Sequence, residues 1–289
     1  MRFSQTVLAY RVAGSALAFG IMALSTQAQA GVGDLLVAPT RLVLDSNRGT
    51  EVVLNNIGSD TANYRISLEL RRMDDKGDLI EVADAQANEH EKTTLSIISY
   101  APRRVTLPPN QPQAIRVGVR PPADLPDGEY RAHMVFRAIP DAIPATAQTA
   151  TTGLTVKLIP VYGVIIPVII RKGALQVQAQ ISDAHMGKAV IKGSPSANVP
   201  TLDFKLSRAG TRSVYGNIRV LKAGLSKPVY EAKGIAVYAE IASRNVELGL
   251  KPSLNDEQIA ALKGPVTIEY REPDDLGGGL ITSLQTVLR

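Results

Sequence analysis

The stretch that decides the fold is GLTVKLIPVYGVIIPVIIR, which runs from Gly153 to Arg171. It is rich in Val and Ile, the β-branched residues that favour strands. Pro160 and Pro167 interrupt it, and proline within a sheet is confined to edge strands because it has no N–H to donate. The stretch therefore predicts a long edge strand, with backbone N–H and C=O groups open to another chain.

The N-terminus predicts export. Residues 1–30 contain Arg2 and Arg11, a mostly apolar run over 12–24 and an Ala-Gln-Ala cleavage site at 28–30, which together indicate a secretory signal peptide. A membrane anchor is the less favoured alternative, because the apolar run is shorter than the ~20 residues that span a bilayer. We expect a mature protein that is located in the periplasm and is not embedded in a membrane.

Composition limits the possible functions. The 289 residues include no Cys, which excludes disulfides and thiol catalysis. The formal charge is +5, and removal of the two signal-peptide arginines leaves 30 basic residues against 27 acidic ones, or +3. This charge is too weak to indicate binding to nucleic acid. The length suits two domains, which we place at 31–172 and 173–289.

The pattern along the chain predicts an all-β protein. Residues 34–44 form a strand that Pro39 breaks, so this segment is expected to run along an edge and to switch partners there. Turn signals then recur about every ten residues, which is typical of a β-sandwich. Residues 83–94 are polar and are predicted to be irregular, whereas 255–262 are predicted to form one or two helical turns.

Catalytic residues are hard to find. The three histidines His90, His133 and His185 lack the spacing of metal ligands, and His133 is better interpreted as a structural histidine within a strand. The chain has no nucleophile elbow, P-loop or zinc-protease motif. We therefore expect a protein that is not an enzyme and needs no cofactor or metal.

Several segments resemble the PapD-like periplasmic pilus chaperones. The similarity covers nearly the whole mature chain, with its motifs in the family's order. It is carried by Ala38–Leu44 (APTRLVL), Ala101–Pro108 (APRRVTLP), Gln113–Val117, Pro126–Arg131 (PDGEYR) and Ser207–Gly216. The resemblance implies two immunoglobulin-like β-sandwich domains that are joined at an angle around a cleft.

The resemblance also implies a function. Chaperones of this family bind pilus-type subunits that lack a strand, lend them an edge strand, and deliver them to an outer-membrane usher. Two basic cleft residues hold the subunit's C-terminal carboxylate, and Arg41 and Lys157 match them. Leu154, Val156 and Leu158 are the matching donor side chains. Two alternatives stay open: these five residues are ordinary solvated or core strand residues, or the protein is a structural or adhesive immunoglobulin-like surface module.

Overall fold

The computed structural model describes residues 34–45, 49–140, 161–190, 198–251 and 253–289. The fold is all-β, as predicted, and the described strands build two β-sandwiches. Each sandwich has its own apolar core, one formed by residues between Val37 and Ile170 and the other by residues between Ile181 and Leu288. The predicted signal peptide lies outside the described residues.

The first sandwich consists of ten described strands. One sheet has the order β1-β3-β8-β6, and the other has the order β2-β10-β9-β4-β5, with β7 also paired to β4. This division of strands is that of an immunoglobulin fold. The strands are β1 (Leu35–Ala38), β2 (Leu42–Asp45), β3 (Thr50–Asn56), β4 (Ala62–Met73), β5 (Leu79–Val82), β6 (Ile98–Ala101), β7 (Arg104–Leu107), β8 (Pro112–Val119), β9 (Gly128–Ile139) and β10 (Gly163–Lys172).

The chain changes sheets at Pro39, as the sequence predicts. Before the proline, β1 pairs antiparallel with β3 in one sheet. After it, β2 pairs parallel with β10 in the other sheet. The break therefore lets one segment close the edges of both sheets.

A tyrosine near the start of β9 ties that strand to the preceding turn. Tyr130 is buried, and its hydroxyl donates a hydrogen bond to the carbonyl of Pro126 at 2.8 Å. This tyrosine corner is a feature of immunoglobulin-like sandwiches. It fixes the beginning of β9, the strand that carries much of the site described below.

The second sandwich has the sheets β11-β12-β15 and β14-β13-β16-β17. Its first strand is long and pairs with β12 in a register that shifts between Ser182 and His185. Two further strands, β15 and β17, were not predicted. The strands are β11 (Val177–Ala189), β12 (Val199–Gly210), β13 (Val214–Leu221), β14 (Tyr230–Val237), β15 (Ser243–Gly249), β16 (Gly264–Arg271) and β17 (Leu280–Leu288).

Two α-helices accompany the strands in the described residues. Helix α2 (Asp256–Ala261) lies where a short helix was predicted. Helix α1 (Glu89–Ile97) lies in the segment predicted to be irregular, so that prediction was wrong. The Asn88 side chain accepts a hydrogen bond from the backbone N–H of Glu91, and the Glu91 carboxylate accepts one from that of Asn88. This capping box compensates for the weakly apolar sequence of the helix.

The two sandwiches contact each other through a small apolar cluster. Met73 and Ile169 of the first sandwich pack with Ala236 and Tyr238 of the second, and all four are buried. β10 ends at Lys172, and Gly173 follows with a positive φ of 81°. The division at residue 172 stays a prediction, and this left-handed glycine supports it because other residues rarely adopt that conformation.

Candidate functional site

The first half of β10 has an open edge. On one side β9 pairs with β10 along its whole length, from Gly163 to Lys172. On the other side β2 pairs only with Val168 to Arg171, and no other described strand covers residues 163–167. The predicted edge strand is therefore confirmed for the first half of β10 and wrong for the second. Pro167 is tolerated because the β2 ladder begins one residue after it.

Apolar side chains are exposed along this open edge. Val161 and Tyr162 are each 53% exposed and Ile165 is 40% exposed. Val164 and Ile166, in contrast, pack into the core of the sandwich. Exposed apolar groups beside unpaired backbone mark a surface that a partner strand would cover.

Arg41 lies at the start of β2, where the open edge ends. Its guanidinium carbon is 4.3 Å from the ring centroid of Tyr215 and 5.9 Å from that of Tyr238, so it rests on two aromatic rings of the second sandwich. Burial lowers the pKa of Arg41, and the charge of Arg171 lowers it further. Its Nη1 is buried and has no hydrogen-bond partner. A buried polar donor without a partner is costly.

A second arginine near Arg41 is neutralised. Arg171 Nε donates to Glu129 Oε2 at 3.0 Å, and the Glu129 side chain is only 1% exposed. The other carboxylate oxygen, Glu129 Oε1, accepts from the backbone N–H of Ser213 at 3.1 Å. Glu129 thus links the two sandwiches. Burial, and to a smaller extent the charge of Arg171, also lowers the pKa of Arg212.

Arg131 forms a second link between the sandwiches. Its guanidinium carbon lies 3.8 Å from the ring centroid of Tyr238, and Nη2 donates to Glu240 and to the carbonyl of Arg71. Its Nη1 donates to His133 Nε2 at 3.2 Å. Burial, with the charges of Arg131 and Arg71, lowers the pKa of His133 to about 3. His133 is therefore neutral at pH 7, as expected of a structural histidine.

A cavity of about 280 Å³ opens beside Arg41. The first sandwich contributes Pro39, Thr40, Arg41 and Val43 to its wall. The second contributes residues from β13 and from the short 3-10 helix that precedes β17 (Asp274–Leu276). The cavity thus has a cationic group and mainly apolar walls; we call it the terminal pocket. Its lining from the second sandwich is Tyr215, Pro273, Asp275 and Leu276.

The structure places one of the five predicted site residues. Arg41 lies in the cleft between the sandwiches, whereas Lys157, Leu154, Val156 and Leu158 lie outside the described residues. The sequence reasoning missed Arg171, Glu129 and the aromatic pair. Arg171 and Glu129 are directly opposite each other in the β9–β10 register. Knowledge of that register would have identified the pair.

The described residues contain no group of His, Cys, Asp and Glu side chains that could hold a metal ion. None of the helices in the described ranges is long and apolar enough to cross a membrane.

Comparison with known proteins finds similarity to solved structures only. No protein-family model matches the chain, and no curated protein matches it. The chain is similar to the YadV chaperone, with 13% identity and a TM-score of 0.45 over 88% of this chain and 100% of that one. The Pseudomonas aeruginosa CupB2 chaperone has 13% identity and a TM-score of 0.44 over 88% of this chain and 100% of that one. The E. coli chaperone DraB has 17% identity and a TM-score of 0.42 over 90% of this chain and 98% of that one.

These similar structures are chaperones, like the family that the sequence motifs resemble. At such identities and TM-scores the similarity carries no conclusion about this chain. The function therefore has to be argued from the open edge and the cleft residues of this chain.

Proposed function

We propose that this protein is a periplasmic chaperone that binds pilus-type subunits and delivers them to an outer-membrane usher. The observation that carries the proposal is the junction between the open edge of β10 and Arg41. An unpaired strand edge ends beside a buried arginine whose Nη1 has no partner. Such an edge binds an extended segment through main-chain hydrogen bonds, and such an arginine favours a carboxylate.

The direction of β2 indicates how a partner strand would lie. β2 runs parallel to β10 and begins to pair at Val168. A partner strand beside residues 163–167 would occupy the same position in the sheet, ahead of β2. If it ran parallel to β10, its carboxyl end would face the start of β2 and Arg41. If it ran antiparallel, its positive amino end would face Arg41, which is unfavourable.

The contribution of the carboxylate to the binding free energy can be estimated. A hydrogen bond between charged groups contributes about 1.5–3 kcal/mol. The carboxylate would also be attracted electrostatically by the Arg41 guanidinium. Together these effects favour a parallel strand with a free carboxylate over any other arrangement.

The donor residues remain part of the proposal. Leu154, Val156 and Leu158 alternate along the sequence. In a continuing strand such residues share one face. We propose that they fill the open groove of the subunit, where each contributes about 1.5–3 kcal/mol before the cost of ordering the chain.

Lys157 stays a predicted second anchor for the carboxylate. Arg171 is the other basic residue close to Arg41, but Glu129 already neutralises it at 3.0 Å. In the described part of the cleft we therefore assign the positive charge that would bind the carboxylate to Arg41. Lys157 would add a second positive charge.

A pull-down from periplasmic extract tests the proposal. The mature protein should retain a small β-rich subunit in a one-to-one complex, and Arg41→Ala should lose it. Lys157→Ala should weaken retention. Arg116→Ala is a matched control, because the Arg116 side chain is 86% exposed and paired only with exposed Glu51. Retention of the subunit by Arg41→Ala would refute the anchor. Recovery of the protein in the outer membrane or medium without a subunit would favour the surface module.

A further inference from the structure

The terminal pocket lies in line with the open edge of β10. Val43 belongs to β2 and is 41% exposed, and Arg41 stands one residue before that strand. A partner strand that ends at Arg41 would therefore bring its last residue to the mouth of this pocket. Most of the opposite wall comes from the turn before β17, in the second sandwich.

The pocket has two chemical parts. The Arg41 guanidinium supplies positive charge. The rest of the wall is mainly apolar, and Leu276 is 57% exposed although it is a large aliphatic residue. A ligand that satisfies both parts carries an anionic group and an apolar group a few atoms apart. The C-terminal residue of a polypeptide has this composition when its side chain is apolar.

The size of the pocket also fits one residue. Its volume of about 280 Å³ lies just below the ~300–1,000 Å³ of pockets that enclose a drug-sized ligand. Among the described residues that line it, Asp275 is the one acidic residue. Its charge disfavours a second acid, so an acidic terminal side chain is selected against.

We infer that the terminal pocket reads the last side chain of the partner and selects an apolar one, while Arg41 holds its carboxylate. The inference rests on the proposed function and makes it more specific. In this arrangement Leu276 and Val43 are specificity residues contributed by two different sandwiches. The second sandwich thereby takes part in choosing the partner.

Peptide binding measured by fluorescence anisotropy tests the inference. The probe is a fluorescein-labelled peptide of alternating Thr and Val with an N-terminal Lys, made with a final Leu, Gly or Asp and also as the Leu amide. For the wild-type protein we expect Leu to bind about tenfold more tightly than Gly, because one apolar side chain is partly buried. Asp should bind more weakly than Gly.

Variants assign the preference to the pocket. Leu276→Ala should reduce the ratio of Leu to Gly affinity to about threefold or less. Leu225→Ala is the matched control, since Leu225 is similarly exposed, at 56%, but does not line this pocket. It should leave the ratio unchanged.

The outcomes separate this inference from the proposed function. Equal binding of the Leu and Gly peptides, with the acid still preferred over the amide, overturns the pocket and leaves carboxylate capture standing. A ratio that Leu276→Ala and Leu225→Ala change equally also overturns it. If no peptide binds, or if the amide binds as well as the acid, the anchoring at Arg41 fails and the inference fails with it.

Discussion

Removal of the Glu129 charge should destabilise the junction between the sandwiches. In Glu129→Gln a single acceptor oxygen replaces the two that serve Arg171 Nε and the Ser213 N–H. One donor is left unsatisfied, and the Arg171 charge remains unneutralised near Arg41. Loss of one partner from a buried ion pair costs ~3–5 kcal/mol. Because the Arg171 side chain is 25% exposed, water offsets part of this cost, and we expect a loss of about 2–3 kcal/mol.

Urea unfolding measures this loss. At a slope of about 1–3 kcal/mol per molar urea, the unfolding midpoint should fall by about 1 M. Far-UV circular dichroism and tyrosine fluorescence provide two probes, since the chain has nine Tyr and no Trp. The control is Glu51→Gln, whose partner Arg116 lies 3.3 Å away at the exposed surface, and it should cost no more than ~0.5 kcal/mol. If both variants lower the midpoint equally, the reasoning about a buried link between the sandwiches is refuted.

Three further predictions concern the donor segment, the buried histidine and the aromatic ring at the junction. Val156→Asp should abolish subunit capture and leave the circular dichroism spectrum unchanged. The exposed control Val190→Asp should still capture the subunit. An unfolded Val156→Asp would mean that the side chain belongs to the core. The unfolded chain protonates His133 near pH 6.5 but the folded protein only near 3, so stability should fall as the pH is lowered through this interval, by up to about 1.4 kcal/mol per pH unit. His133→Gln, which keeps an acceptor for Arg131, should show a shallower loss in urea titrations between pH 6.5 and 4, and an identical slope would contradict the assignment. Tyr238→Ala should cost about 3–5 kcal/mol by thermal unfolding, because it leaves a cavity and removes the ring beneath Arg131, whereas Tyr238→Phe should cost less than ~1 kcal/mol; similar losses for both would refute the role of the ring.

Elements whose cause is local could be predicted from the sequence. The break at Pro39 and the change of partner after it follow from the missing N–H of proline. The capping residues Asn88 and Glu91 have the spacing of a helix start, but a prediction based on apolar periodicity overlooks them because the helix they begin is mainly polar. β15 was missed for a related reason: its sequence SRNVELG lacks clear alternation.

The part of the site that depends on tertiary structure could not be predicted. Arg41 was identified through its place in a family motif, but the rings beneath it belong to residues more than 170 positions later in the chain. Glu129 and Arg171 are 42 residues apart and become a pair only in the register of β9 and β10. The edge of β10 was overestimated because β2, a short strand from the other end of the domain, covers its second half.

Because β2 covers the second half of the β10 edge, its position would determine how a partner strand is aligned with β10. In the proposed complex a partner strand would end where β2 begins to pair with Val168, so its own last residue would set its alignment. Side chains alternate between two faces, and a shift of one residue exchanges those faces. Subunits with unrelated sequences would be seated alike if their final strands end at the same distance from their grooves. A single residue added at the partner's C-terminus would turn the opposite face of its strand towards this protein. The start of the β2 pairing at Val168 would therefore fix the length of the partner's final segment.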